Sequence, residues 1–271
     1  MNTICENLSP KRHPILFCGA GPGDPELITV KGQKALKEAD LIVYAGSLIP
    51  SAVLRWKKDR AMTVNSAALN LDEIIALLSE HYLAGRKVVR LHTGDPALYG
   101  AIFEQMARLN DKNIPYAVIP GVTAAFAAAA SMGIEYTLPE ISQTLILTRL
   151  AGRTPVPASE SLKSLAAHKA TLVIYLSITL IDQVAAILSE SYGPSSRCAV
   201  VFKASQPEER IVFSIAKDLA DTVRKENITH QALIIAGRVL EVNPNALTAV
   251  SKLYDKTFAH GYRAASKTGK K

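Results

Sequence analysis

Aromatic residues make up only 6% of this 271-residue chain, and cysteine occurs three times, at Cys5, Cys18 and Cys198. The cysteines lack C-x-x-C spacing and cannot all pair, which excludes a disulfide scaffold and points to thiols in a reducing cytoplasm. No apolar run reaches the ~20 residues that span a bilayer, and Met1–Pro14 is too polar for a signal peptide. The expectation is therefore a cytoplasmic protein with no membrane contact. No basic stripe interleaves with aromatics, which speaks against a nucleic-acid partner. Familiar chemistry is missing as well. There is no G-x-x-x-x-G-K-[ST] loop and no G-x-S-x-G elbow, and His13, His81, His92, His168, His230 and His260 show no metal-ligand spacing. No protein-bound metal is expected, and hydrolysis or phosphoryl transfer has no evident carrier. A transferase whose donor arrives already activated needs less machinery.

What is present is an ordinary globular composition, 48% apolar and 20% charged, with a net charge of +7. The length suits one large domain or two of common size. Some of the charge belongs to a basic tail (Arg263, Lys267, Lys270, Lys271), read as frayed. The rest is dispersed over Lys57, Lys58, Arg60, Arg86, Lys87, Arg90, Arg149 and Arg153. Dispersed cations fit a small polyanion, or simply a solvated surface.

Apolar runs alternate with helical patterns. Ile15–Cys18, Leu41–Tyr44, Ala61–Val64, Lys87–Leu91 and Tyr116–Ile119 read as strands, separated by helices over Lys31–Ala39, Asp72–Ala84 and Ala101–Leu109. This rhythm predicts a parallel sheet with helical crossovers. Gly133–Gln143 breaks it and reads as a linker. The second half restarts at Thr144 and contains Cys198–Lys203 and Ile211–Ser214, spaced like a hairpin, so its sheet is mixed. The expected organisation is α/β, with an N-terminal domain over 1–135, a C-terminal domain over 144–242, and the tail over 243–271.

Three loops carry unusual chemistry, and each follows a strand, where open parallel sheets bind ligands. Gly19-Ala-Gly-Pro-Gly-Asp24 resembles a dinucleotide loop with two faults. Asp24 replaces the third glycine, and Pro22 removes an N–H that a pyrophosphate would use. No acidic residue follows Tyr44 to hold a ribose, so a nicotinamide-dependent oxidoreductase is disfavoured. His92-Thr-Gly-Asp-Pro-Ala-Leu-Tyr-Gly100 is the second loop, where Asp95 either caps the following helix or meets a cation of a ligand. Pro120-Gly-Val-Thr-Ala124 is the third, with Thr123 a helix cap or a ligand contact.

Gly19–Thr29, Thr93–Pro96 and Pro120–Ala124, with Ala170–Ser177 and Ala232–Val239, resemble the ordered signatures of the tetrapyrrole (precorrin/uroporphyrinogen) methyltransferases. Tyr44–Pro50, Arg90–Ile102, Tyr136–Thr144 and Thr148–Pro157 are similar to the precorrin-4 C11 branch of that family. The resemblance implies two αβα domains in the tetrapyrrole methylase fold, with S-adenosylmethionine in a cleft between them, and a homodimer. It implies donor contacts at Pro22, Thr93, Gly94, Asp95, Leu98, Thr123, Ala124, Leu176 and Ala204. Leu176 stands where many relatives have Met, and Ala204 where the family has Gly.

The implied reaction is methylation of C11 of precorrin-4, or of its cobalt complex, on the route to cobalamin. Its acetate and propionate groups call for basic residues, for which Arg90, Arg149 and Arg153 are the candidates. His92 and Tyr99 are the candidates for a general base. Another methyltransferase of the family, or a non-catalytic tetrapyrrole carrier, are the alternatives.

Overall fold

A computed structural model describes residues 13–243, 245 and 251–266. Cys5, and Lys267, Lys270 and Lys271 of the basic tail, lie outside the described residues. The chain forms two compact units. The first runs to Ala127 and takes back Lys203–Pro207; the second holds Ala128–Phe202 and continues from Glu208. The change of unit thus falls within a helix, ahead of Gly133–Gln143.

The first unit is built on five parallel strands, β1 (Ile15–Gly19), β2 (Leu41–Tyr44), β3 (Met62–Asn65), β4 (Val88–His92) and β5 (Tyr116–Ile119), in the order β3-β2-β4-β1-β5. Its crossover helices are α1 (Val30–Glu38), α2 (Leu71–Leu83) and α3 (Ile102–Asp111), and α4 (Ala124–Met132) follows β5. Local sequence starts them. Thr29 caps α1 by accepting the Gly32 N–H at 3.1 Å. Asn70 and Glu73 form a reciprocal capping box on α2, at 3.0 and 2.8 Å, worth about 1 kcal/mol.

Strand alternation then builds two cores, because successive side chains point to opposite faces. Cys18, Ile42, Val89, Leu91 and Ile119 pack with α1 residues on one face. Ile15, Phe17, Leu41, Val43 and Val88 pack against α2 and α3 on the other. Each fully buried Leu, Ile or Phe contributes roughly 1.5–3 kcal/mol of transfer free energy. Both faces are therefore covered, and every residue of central strand β4 is buried.

The second unit holds β6 (Leu145–Arg149), β7 (Thr171–Tyr175), β8 (Arg197–Phe202), β9 (Arg210–Ile215) and β10 (Ala232–Ala236), in the order β6-β7-β10-β8-β9. Only β6 and β7 are parallel; β8–β9 is the expected hairpin, and β10 is antiparallel to both its neighbours. Helices α5 (Leu162–Ala166), α6 (Ile181–Tyr192) and α7 (Leu219–Lys225) bury Leu162, Val184, Leu188 and Leu219 against Ile174, Val200 and Ile234 of the strands. The chain is α/β with two sheets, as the sequence indicates. No described helix is long and apolar enough to cross a membrane.

Candidate functional site

The three loops singled out by sequence leave three adjacent strands, β4, β1 and β5, which lie side by side in the first sheet. Register sets them level: Gly19 pairs with His92, and Cys18 with Ile119. Their backbones then touch. A Cβ on Gly19 would come within 2.6 Å of both the Gly121 Cα and the Gly94 carbonyl oxygen, and one on Gly121 within 2.1 Å of that oxygen. Only glycine permits such an approach. Gly94 N–H donates to the Gly21 carbonyl at 2.8 Å, and Gly21 N–H to the Gly94 carbonyl at 3.3 Å.

Asp95 binds the second loop to the third. One carboxylate oxygen accepts the Ala97 N–H at 2.8 Å and the other accepts the Gly121 N–H at 2.9 Å. It does not cap α3, which begins at Ile102 behind Ala101. Thr123 immediately precedes α4, and its carbonyl accepts the Phe126 and Ala127 N–H groups.

The first loop is not a phosphate cradle. Ala20 N–H donates to the His92 carbonyl, Gly21 N–H to Gly94, and Asp24 N–H to the Ser205 hydroxyl at 3.0 Å. Pro22 has no N–H, and the Asp24 carboxylate caps the following 3-10 turn by accepting the Glu26 N–H at 2.8 Å. With these donors engaged, a pyrophosphate finds little to bind, and the dinucleotide reading fails on geometry as well as on sequence.

Ser205 belongs to Lys203–Pro207, the segment that joins the first unit. Gln206 Nε2 reaches toward the Pro22 carbonyl at 3.5 Å. Ala204 is buried between Lys203 (φ 48°) and Ser205 (φ 64°), both left-handed. The structure thus brings Pro22, Thr93, Gly94, Asp95, Leu98, Thr123, Ala124 and Ala204 to one end of one sheet. Ser205 and Gln206 were invisible to sequence analysis, because nothing local marks a segment that returns from another unit.

The second loop is held in tension. Gly94 (φ 59°), Tyr99 (φ 56°) and Ala101 (φ 47°) are all left-handed; each non-glycine residue so placed costs on the order of 1–3 kcal/mol. Beneath it lies a buried polar chain. Arg90 donates from Nε to Gln105 Oε1 at 3.1 Å and from Nη1 to the Val43 carbonyl at 3.2 Å. Gln105 in turn donates from Nε2 to the Ala101 carbonyl at 3.1 Å.

These contacts correct two expectations. Arg90 is 5% exposed and gives its Nε–H and Nη1–H to groups inside the fold, which counts against a contact with substrate carboxylates. Burial lowers its pKa to about 10. His92 is equally buried, with its ring 5.9 Å from that of Phe17 and no partner for Nε2. Burial first, and the nearby Arg90 charge second, lower its pKa to about 3. Both its burial and its lowered pKa count against His92 as a general base. Tyr99 is 43% exposed on the strained loop.

In the second unit, β6 pairs with β7 so that Arg149 lies opposite Tyr175. Leu176, next along, is left-handed (φ 51°) and 64% exposed. Its apolar side chain is thus held outward on a strained backbone at a strand's carboxyl end. Ser177, fully buried, accepts the Leu150 N–H at 2.9 Å and donates to the Tyr175 carbonyl at 2.7 Å, tying the two strand exits together. Arg149 donates to the carbonyls of Thr154 at 3.1 Å and Pro155 at 2.8 Å, and so shapes its own Pro-rich loop. Arg153 is exposed on that loop. Lys58 and Lys87, counted among the dispersed cations, pair with Asp40 and Glu38. Among the described residues no group of His, Cys, Asp and Glu is placed to hold a metal ion.

Glycine-bearing loops thus lock together over adjacent strand ends of an α/β sheet, and the first of them is not built as a phosphate cradle. The family model of the tetrapyrrole (corrin/porphyrin) methylases matches residues 14–220, and the chain belongs to that family. A Methanocaldococcus jannaschii protein, cobalt-precorrin-4 C(11)-methyltransferase, is 51% identical over 254 residues, covering 93% of this chain and 97% of that protein. The X-ray structure of a cobalt precorrin-4 methyltransferase of cobalamin biosynthesis superposes with a TM-score of 0.82 at 44% identity, covering 84% of this chain and 95% of the other. A Thermus thermophilus uroporphyrin-III C-methyltransferase, crystallised with S-adenosylhomocysteine, superposes with a TM-score of 0.71 at 28% identity, covering 85% of this chain and all of the other.

Proposed function

We propose that this chain transfers a methyl group from S-adenosylmethionine to C11 of precorrin-4, or of its cobalt complex, as a step of cobalamin biosynthesis. The observation that carries this reading is the 51% identity to the M. jannaschii enzyme over 93% of the chain.

The residues at the strand ends suit the donor. The amides of Ala20, Gly21, Asp24, Gly94 and Gly121 are engaged, which disfavours phosphate. Leu98 and Leu176 offer apolar side chains, and Gly94 lies against the Thr123 and Ala124 backbone, where its missing Cβ leaves only ordinary van der Waals space. When bound, S-adenosylmethionine supplies a methyl group already activated by its sulfonium charge. What remains for the protein is position. Orientation within about 3–3.5 Å is worth roughly 7–11 kcal/mol, and exclusion of water favours dispersal of the charge. Pro22, Thr93, Gly94, Leu98, Thr123, Ala124, Leu176 and Ala204 are the proposed contacts, and Asp95 acts by fixing the second and third loops. Arg153 is the proposed carboxylate contact, with Arg149 shaping its loop, and Tyr99 is the proposed proton acceptor.

A cytoplasmic homodimer completes the reading. The family resemblance supports the dimer, and Cys18 and Cys198, buried and unpaired, support a reducing compartment. The test is an anaerobic assay with methyl-labelled S-adenosylmethionine and metal-free or cobalt-bound precorrin-4. Uptake of one methyl at C11 is expected. Label transferred only to another tetrapyrrole would overturn the assignment.

A further inference from the structure

We propose that residues 251–266 form an arm that binds the flat, carboxylate-bearing macrocycle of the substrate; this rests on the function proposed above. The arm lies beyond residues 14–220, the part matched by the family model. Its composition departs from the rest of the chain. Tyr254, Phe258 and Tyr262 fall within these sixteen residues, whereas aromatics are 6% of the whole. Lys252, Lys256 and Arg263 stand against a single carboxylate, Asp255.

Sequence analysis reads Arg263 as part of a frayed tail, and the structure corrects this. Arg263 Nη2 donates to the carbonyls of Leu253 and Asp255, both at 2.7 Å, and reaches toward that of Phe258 at 3.5 Å. The backbones of His260 and Arg263 exchange hydrogen bonds at 2.9 Å, and Ser266 N–H donates to the Lys256 carbonyl at 2.8 Å. Asp255 accepts the Thr257 N–H and hydroxyl, both at 2.8 Å, so the one anion is turned into the arm's own framework. The guanidinium replaces the hydrophobic core that so short a segment lacks.

The framework turns the aromatic side chains outward. Tyr262 is fully exposed, Tyr254 77% exposed and Phe258 43% exposed. Large rings held in water gain nothing by that order unless something covers them. Charge decides what does. A planar ring bearing carboxylates satisfies both features: its face stacks on tyrosine and phenylalanine, and its carboxylates meet Lys252 and Lys256.

The test uses the full chain and uroporphyrin, a stable tetrapyrrole with eight carboxylates, followed by fluorescence quenching. S-adenosylhomocysteine affinity, measured by calorimetry, is the control. Tyr254→Ala with Tyr262→Ala, and separately Lys252→Glu with Lys256→Glu, are expected to weaken uroporphyrin binding at least about tenfold. Tyr254→Phe with Tyr262→Phe retains it, and S-adenosylhomocysteine binding stays within about twofold throughout. Unchanged uroporphyrin binding in both double variants would overturn the arm's role while leaving the proposed reaction intact. A shift from dimer to monomer with uroporphyrin binding intact would assign the arm to a subunit contact instead. If the unsubstituted chain binds no tetrapyrrole, both the arm and the reaction it rests on fall.

Discussion

The guanidinium of Arg90 gives its Nε–H to the amide oxygen of Gln105 at 3.1 Å, and no described carboxylate shares that buried charge. A buried cation without a counter-ion depends on every hydrogen bond it makes. Because Gln105 also holds the carbonyl of left-handed Ala101, the pair fixes the far end of the strained second loop from inside the fold.

Gln105→Leu removes both links. It is expected to destabilise the protein by about 1–3 kcal/mol and to raise the KM for S-adenosylmethionine. Gln105→Glu offers Arg90 a carboxylate but no donor to Ala101, so stability should recover while the raised KM persists. Thermal denaturation and steady-state kinetics on the two variants separate these effects. Equal recovery of both would place Gln105 in the core alone.

Asp95→Ala frees the N–H groups of Ala97 and Gly121 together. A loss of about 1–3 kcal/mol and a clear fall in S-adenosylhomocysteine affinity are expected by calorimetry. Asp95→Asn keeps only part of the acceptor capacity and should fall between. Unchanged affinity in the alanine variant would mean that the second and third loops hold their places without it.

His92 makes stability depend on pH. Its folded pKa is lowered from 6.5 to about 3, so between those values the unfolded chain binds the extra proton and the folded chain does not. Stability is then lost as pH falls below 6.5, by about 1.4 kcal/mol per pH unit. Urea denaturation between pH 7 and 4, compared with His92→Gln, isolates this contribution. The slope should be shallower in the variant, and identical slopes would show that the imidazole titrates normally.

Arg149 and Arg153 should part company. Arg153→Ala is expected to raise the KM for the tetrapyrrole with stability unchanged, since the side chain is exposed. Arg149→Ala frees the Thr154 and Pro155 carbonyls and should loosen the 150–157 loop, read by faster proteolysis there, with KM rising as a consequence. A normal KM in both would send the substrate carboxylates elsewhere.

The sequence by itself determined the strands and helices of the first unit, because period-2 and period-3.6 patterns and their caps are local. It also marked the three loops, since Gly19, Gly94 and Gly121 stand out wherever they fold. It could not say that β4, β1 and β5 would be neighbours, which follows from crossover topology and makes those glycines meet. Arg90 and His92 look like surface chemistry in the chain, yet they lie on a central strand with both faces covered. Burial there, a property of the whole sheet, turned a substrate contact into a structural cation and a base into a neutral ring. Gln105, Ser205 and Gln206 gave no signal at all. Their roles arise only when segments far apart in sequence are folded against the same loops.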